Sequence, residues 1–283
     1  MQTEDNVLEI ALELAASEPA HRPEFYRLLL ESTIFILGSS ASGEMEEGPV
    51  TLKANTQIQL TNWVRPDGSS VVPFFTSLRA LQQAITSDET YLALPARTFF
   101  QITRGAELIL NPRSEVGKEF TPDEVESLLA GGSNKVVVAR VIKDDTRVLL
   151  GQPAEYPNAM VASLTTLLAG HSNVKTAYLA LMHNPSENEK PHLIVGIEAD
   201  GDFENVIREA GTVAADSAPK GEPVDLMRVV RGESGMAKYF LKEVKPFYQR
   251  EDSNDVSGVS NTSSKQSPFK AWFSRVLSRG KSD

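Results

Sequence analysis

The sequence of 283 residues contains no cysteine and only four histidines. The absence of cysteine excludes disulfide bonds, thiolate nucleophiles, zinc–thiolate sites and iron–sulfur clusters. The four histidines are scattered along the chain, so few residues remain that could serve as a catalytic base or a metal ligand.

The chain also lacks a long apolar segment. No run approaches the ~20 apolar residues that a membrane-spanning helix needs. The first stretch, MQTEDNVLEIALELAA, has no basic region and carries acids among its apolar residues, which argues against a signal peptide. We therefore expect a cytoplasmic protein.

Basic residues are outnumbered, with 28 Lys and Arg against 38 Asp and Glu and a net charge of −10. Proteins that bind nucleic acids present basic patches, so we expect no nucleic-acid partner. The charge is uneven, because residues 265–281 hold five basic residues and no acid. The acidic body and the basic end are therefore interpreted separately.

Phosphate-binding loops are missing as well. Neither G-x-x-x-x-G-K-[ST] nor a G-x-G-x-x-G after a strand occurs. We predict no cofactor, and the identity of any small-molecule ligand stays open.

Hydrophobic periodicity predicts helices and strands in mixed order along the chain. Helices are predicted at 4–16, 76–85, 96–103, 120–131, 157–171, 202–211 and 235–248. Strands are predicted in most intervals, including one at 51–64 and one at 135–141. From residue 135 the predicted order is β-β-α-β-β-α-β-α, which is typical of sheets covered by helices. We predict an α+β fold of two tandem mixed α/β domains, 1–131 and 132–249.

Thr76 and Ser77 stand between a predicted strand and a predicted helix, where a serine can be a nucleophile, an anion ligand or a helix cap. A nucleophile elbow needs glycines around the serine, and none is present. An anion site would use the helix start with Arg79. The pattern favours the cap, in which a hydroxyl accepts from a free amide of the first turn.

Four carboxylates crowd the segment EADGDFE, namely Glu198, Asp200, Asp202 and Glu204. Oxygen ligands of this kind suit Ca²⁺ or Mg²⁺, and Asp200, Asp202 and Glu204 are the candidates. The spacing is not that of an EF-hand loop, and a strand-to-helix junction favours acids without any metal. We predict no metal site and expect Asp202 to cap the following helix.

Other candidate binding residues are histidines and aromatics. His183 and His192 flank a loop and would be cross-strand neighbours in a hairpin, although two histidines make a poor metal site. Most aromatic residues are predicted to be core, with Phe99-Phe100 and Phe247-Tyr248 the more exposed members of a peptide-binding groove.

The C-terminal segment differs in composition from the rest of the chain. Residues 250–267 are polar and poor in aliphatic side chains, which predicts a disordered linker. Residues 268–281 predict a basic amphipathic helix, because one set of apolar residues recurs at helical spacing. That set is Phe269, Trp272, Phe273, Val276 and Leu277, with Lys270, Arg275 and Arg279 outside it.

Three interpretations of this tail helix remain open. It could lie on an anionic membrane as a peripheral contact, with its aromatic side inward. It could dock in the groove of a protein partner through its regularly spaced anchors. It could also pack back on the acidic body.

Longer segments resemble a known family. They are EPAHRPEFYRLLLEST, DGSSVVPFFTSLRALQQAI, LPARTFF, NPRSEVGKEFTPDEV, MVASLTTLL, VGIEADGDFENVI and VKPFYQR. In this order, from about residue 13 to residue 250, they resemble the SseB proteins, the enhanced serine sensitivity family. The resemblance implies an N-terminal and a C-terminal SseB domain and supplies no catalytic residue.

These observations lead to three hypotheses about function. The leading one is a non-enzymatic cytoplasmic binding or adaptor protein with a protein partner. The second is a small-molecule sensor or enzyme connected to serine or amino-acid metabolism, which only the family name suggests. The third is an acidic regulator or immunity-type protein that masks a cationic partner.

Overall fold

A computed structural model describes residues 7–40, 58–131, 148–185, 190–219 and 222–250. The helices are α1 (Val7–Ser17), α2 (Arg22–Glu31), α3 (Leu78–Ala84), α4 (Ala96–Ile102), α5 (Pro122–Leu129), α6 (Asn158–Gly170), α7 (Phe203–Ser217) and α8 (Met236–Glu243), with a 3₁₀ turn at Pro19–His21. The strands are β1 (Thr33–Ser40), β2 (Ile58–Leu60), β3 (Trp63–Val64), β4 (Ser70–Phe75), β5 (Tyr91–Pro95), β6 (Leu108–Leu110), β7 (Lys118–Phe120), β8 (Leu149–Gly151), β9 (Val174–His183), β10 (His192–Ala199), β11 (Val224–Arg228) and β12 (Tyr248–Gln249). The predicted α+β class is confirmed.

The first sheet has the strand order β2-β1-β4-β6-β7, with β5 paired to β1 and β3 paired to β4. Only β4 and β6 run parallel among these pairs. Helices α1, α2, α4 and α5 pack on one face of this sheet, and α3 packs on the other. Burial of both faces explains why β4 reads as a continuous apolar run rather than an alternating one.

Phe99 and Phe100 lie at the centre of this core. Both are fully buried, and their rings lie 5.1 and 5.7 Å from the ring of Phe74. The expectation that they are exposed groove residues was wrong, because α4 turns both rings toward the sheet. Tyr248 is buried too, at 8% exposure.

The second sheet has the order β11-β10-β9-β12, with β8 also paired to β9. Helices α6 and α7 pack on one face and α8 on the other. The last helix was predicted to run to residue 248, but it ends at Glu243. Pro246 explains the difference, because the residue before a proline is driven to extended backbone, and Tyr248 then enters β12 beside β9.

Two further strand predictions were incomplete. Residues 51–64 were predicted as one strand, whereas β2 and β3 are separate and pair with different partners. No strand was predicted at 118–120, where β7 pairs with β6. The predicted strand at 135–141 lies outside the described residues, as does the start of the proposed second domain.

The connection between α1 and α2 joins the two halves of the body. Ala20, in the 3₁₀ turn, is 6% exposed and belongs to the core formed by α6, α7 and the second sheet. Residues up to Arg250 group as one compact unit. The boundary at residues 131 and 132 therefore stays a prediction.

Arg250 closes the second half. Its side chain donates from Nε to the carbonyl of Val174 at 2.8 Å and from Nη2 to the carbonyl of His171 at 2.5 Å. Helix C-termini leave carbonyls without partners, and a cation there is favourable. Arg250 thus fastens the end of β12 to the end of α6.

Candidate functional site

Ser77 is a helix cap. Its Oγ accepts from the amide of Ala80 at 3.1 Å, and its own hydroxyl donates to Oε1 of Glu9 at 2.7 Å. Glu9 also accepts from the hydroxyl of Thr76 at 2.8 Å. The cap interpretation is confirmed, and the hydroxyl of Ser77 is already held by a carboxylate of α1.

Asn111 completes this cluster from the end of β6. Its Oδ1 accepts from the amide of Thr76, and its Nδ2 donates to the hydroxyl of Thr76, both at 3.0 Å. Asn111 has a φ of 47°, a conformation that asparagine tolerates better than most residues. The polar groups satisfy one another, as buried polar groups must, so the cluster fastens α1 to the sheet.

Glu198 is held in place by two neighbours. Its carboxylate accepts a bidentate pair of hydrogen bonds from Arg231, at 2.6 and 3.1 Å, and one from the hydroxyl of Thr176 at 2.9 Å. The bond from Arg231 is the main reason why the pKa of Glu198 lies below its ordinary value despite burial. This carboxylate is therefore ionised, and both of its oxygens already accept hydrogen bonds.

The other acids of the same segment have local roles. Asp202 accepts from the amide of Asn205 as the cap of α7, which confirms the expected cap. Asp200 pairs with Lys175 at 2.8 Å, and Glu204 lies in the first turn of α7. Within the described ranges, no three His, Asp or Glu side chains form a group that could hold a metal ion.

The histidines of the hairpin do not face each other. The β9–β10 hairpin is confirmed, but its register places Met182 opposite His192. Because side chains alternate along a strand, His183 points to the other face. His192 instead bonds to Asp225 on the parallel strand β11 at 2.8 Å.

A cleft of about 340 Å³ lies between α2, α5 and α7. It is lined by Pro23, Tyr26, Arg27, Leu30, Glu31, Arg97, Phe120, Glu124, Ser127, Leu128, Gly131, Asn205, Arg208, Glu209, Thr212 and Asp216. Ligand pockets commonly occur at such junctions and have volumes of roughly 300–1,000 Å³. No cleft residue was predicted from the sequence as a site.

The apolar part of the cleft contains Tyr26, Leu30 and Leu128. Lys118 makes cation–π contacts with two aromatic rings there. Its ammonium lies 4.7 Å from the ring centroid of Phe120 and 5.9 Å from that of Tyr26. Burial, with the charges of Asp216 and Glu124, raises the pKa of Tyr26. The phenol therefore stays protonated and can donate a hydrogen bond.

Three of the four acids that line the cleft have cationic partners. Glu124 pairs with Lys118 at 3.0 Å, Asp216 with Arg22 at 2.6 Å, and Glu31 with Arg27 at 2.7 Å. The fourth acid, Glu209, lies 3.0 Å from Nε2 of His171. Each of the four carboxylates therefore has at least one oxygen engaged by a neighbouring side chain.

Two arginines of the cleft, Arg97 and Arg208, take no part in such ion pairs among the described residues. Both line the cleft and are exposed, and neither has a carboxylate partner in the part of the chain that the structure describes. Among the described residues, the guanidinium of Arg208 donates only to the side-chain oxygen of Asn205. The cleft thus combines an apolar wall with two guanidinium groups that lack a counter-charge among the described residues.

The proposed tail site lies outside the described residues. This applies to Phe269, Lys270, Trp272, Phe273, Arg275, Val276, Leu277 and Arg279. Across the described ranges, no helix is both long enough and apolar enough to pass through a membrane.

Comparison with known proteins covers most of the chain. The SseB protein N-terminal domain matches residues 8–127, and the SseB protein C-terminal domain matches residues 142–250. Over 250 residues the chain is 40% identical to Protein SseB of Escherichia coli (strain K12) and to Protein SseB of Shigella flexneri. The alignment spans 88% of this chain and 94% of each relative.

No solved structure matches the chain. Two matching domain families in the expected order, together with relatives of this identity and coverage, settle the resemblance noted from the sequence: the chain belongs to the SseB family.

Proposed function

We propose that this SseB-family chain is a non-enzymatic cytoplasmic binding protein whose ligand occupies the cleft between α2, α5 and α7. One observation carries the proposal: residues of both family domains line a single concave site that has an apolar wall and charged edges. A site of this composition is the default place to expect a ligand.

The polar clusters support binding over catalysis. Ser77 is bonded to Glu9 and to the amide of Ala80, rather than to a histidine that could take its proton. Glu198 is clamped by Arg231, and His192 is bonded to Asp225. The reactive oxygens of Ser77 and Glu198 are thus already engaged in structural contacts.

The size of the cleft favours a small ligand over a broad protein surface. Its volume of about 340 Å³ lies at the lower end of the range for small-molecule sites. Stable protein interfaces bury roughly 1,200–2,000 Å² and are much flatter. The family name, enhanced serine sensitivity, makes L-serine and other amino acids the first compounds to test.

A ligand screen on the full chain tests the proposal. A compound that binds only the folded state at 100 times its Kd stabilises it by ~2.7 kcal/mol, which raises Tm. Ser127→Trp would fill the cleft from α5, so we expect it to abolish the shift. Thr98→Trp, an exposed change on α4 outside the cleft, should leave it unchanged.

Two results would contradict the proposal. A compound that stabilises Ser127→Trp as much as the unaltered chain binds somewhere else. A measured chemical turnover of the compound would make the chain an enzyme.

The second candidate is an adaptor that acts through the basic amphipathic tail at 268–281. The sequence favours it because apolar anchors recur at helical spacing beside Lys and Arg. A pulldown with the full chain and with a chain ending at Arg250 tests this role. The adaptor role requires partners that only the full chain captures, and equal capture by both chains would exclude it.

A further inference from the structure

The distribution of charge around the cleft is unequal. Four acids line it, and each is engaged by Lys118, Arg22, Arg27 or His171. Two of its arginines, Arg97 and Arg208, have no acid within ion-pair distance among the described residues. The electrostatic potential along the cleft lining is therefore positive at these two side chains and balanced or negative elsewhere.

The two arginines come from different family domains. Arg97 belongs to α4, within the N-terminal match, and Arg208 belongs to α7, within the C-terminal match. A guanidinium presents a planar fork of donors that fits the oxygens of a carboxylate or a phosphate. A ligand held by both would bridge the two domains.

We propose that the ligand of the cleft is a small organic anion, a carboxylate or a phosphate attached to an apolar group. Arg97 and Arg208 hold the acid oxygens, and the apolar group packs against Tyr26, Leu30 and Leu128. This inference rests on the proposed binding function and adds the chemical class of the ligand.

The surroundings of Tyr26 fix the orientation of the ligand. Near its phenol, Asp216 is paired with Arg22 and Glu124 with Lys118, so that end of the cleft holds ion pairs that are already complete. A carboxylate or phosphate finds no unpaired cation there and is attracted to the two arginines instead. The hydroxyls of Tyr26 and Ser127 make no hydrogen bond to a described residue, so they can donate to a neutral polar atom of the ligand.

The probes are three molecules that share one apolar group: phenylpropionate, its neutral amide and phenyl phosphate. Calorimetric titration of the full chain should show binding of at least one acid and at least about tenfold weaker binding of the amide, the loss expected when a charged hydrogen bond is removed. The tighter of the two acids identifies whether the site prefers carboxylate or phosphate.

Three substitutions locate the acid oxygens. Arg97→Gln and Arg208→Gln should each weaken the binding of the acid by about tenfold and leave the amide unaffected. Arg104→Gln is the matched control, because this exposed arginine follows α4, pairs with Glu126 and does not line the cleft. All three remove one exposed positive charge, and a urea titration of each confirms that the variant folds.

Each remaining outcome counts against the inference. Equal binding of acid and amide, both lost in Ser127→Trp, would refute the anion and leave the binding function standing. An equal loss of acid binding in Arg104→Gln would show that the change in net charge, rather than a contact with Arg97 or Arg208, causes the weaker binding. If neither acid binds at millimolar concentration, the inference fails, and the compound screen with Ser127→Trp decides the binding function separately.

Discussion

Arg22 donates a hydrogen bond of 2.6 Å from Nη1 to Oδ2 of Asp216 and so joins the start of α2 to the end of α7. Its Nε also donates to the carbonyl of Ala15 at 3.3 Å. The side chains of Arg22 and Asp216 are 31% and 34% exposed, so water screens the pair only in part. One residue therefore ties α1, α2 and the second half together.

We expect Arg22→Met to lower the free energy of unfolding by about 1–2 kcal/mol, because Asp216 and the carbonyl of Ala15 lose a donor. Urea denaturation of the full chain measures this loss. Arg104→Met should change stability by less than about 0.5 kcal/mol, because the Arg104–Glu126 pair is more than half exposed. Equal losses of stability in the two variants would show that the Arg22–Asp216 contact contributes no more than an exposed surface ion pair.

Ser77→Ala should cost roughly 0.5–2 kcal/mol of stability, the usual effect of removing a helix cap. It should leave any binding activity unchanged, because Ser77 does not line the cleft. Thr98→Ala on the exposed side of α4 is the control and should stay within about 0.5 kcal/mol. A stable Ser77→Ala protein that had lost its activity would reopen the question of a serine nucleophile.

Gly196→Ala should destabilise the second half by about 1–3 kcal/mol, the cost of overpacking a core. An added methyl group would lie 2.8 Å from Cγ2 of Val229 and 3.0 Å from Cδ2 of Phe240. Gly170→Ala, at the end of α6, meets no atom within 4 Å and should be neutral or slightly stabilising. Thermal denaturation of both variants provides the test, and a neutral Gly196→Ala would mean that α8 can shift.

The Glu198–Arg231 pair should make stability depend on pH in the acid range. The folded pKa of Glu198 lies below its ordinary value of 4.5, so its stabilising contribution is complete above that value and is lost as pH falls through the folded pKa. Arg231→Gln should therefore be less stable than the unaltered chain at neutral pH, and the difference should shrink as pH falls below 4.5. Urea titrations along the pH series measure it, with Arg104→Gln expected to show a small difference at every pH. A stability difference between the two proteins that grew as pH fell would contradict the predicted direction of this pH dependence.

The tail yields a prediction from sequence alone. If it is a membrane contact, the full chain should float with vesicles that contain anionic lipid, and a chain ending at Arg250 should not. Trp272→Ala should weaken this association strongly, whereas Ser278→Ala, outside the apolar set, should have little effect. Equal flotation with neutral vesicles, or none with anionic ones, would exclude the membrane interpretation.

Features with a local cause could be predicted from the sequence. Thr121 and Glu124 form a capping box at the start of α5, and Asp202 caps α7, because a few adjacent residues determine each helix start. The family resemblance could be found in the same way, from segments in a fixed order. The end of α8 was missed although Pro246 gave a signal for it.

The cleft could not be predicted, because its residues are distant in the chain. Tyr26, Glu124 and Arg208 lie on three helices that meet only after both halves have folded and packed. Local propensity also could not show which side of α4 is buried, so Phe99 and Phe100 were assigned to the wrong surface. Their burial follows from the position of Phe74 in the sheet beneath.

The 3₁₀ turn at Pro19–His21 has a consequence for synthesis on the ribosome. Ala20 packs against α6 and α7, and α7 ends at Ser217. At typical elongation rates this helix emerges roughly 10–40 s after the turn does. During that interval the N-terminal half carries an apolar turn without its packing partner, so folding of the body can be completed only late in translation.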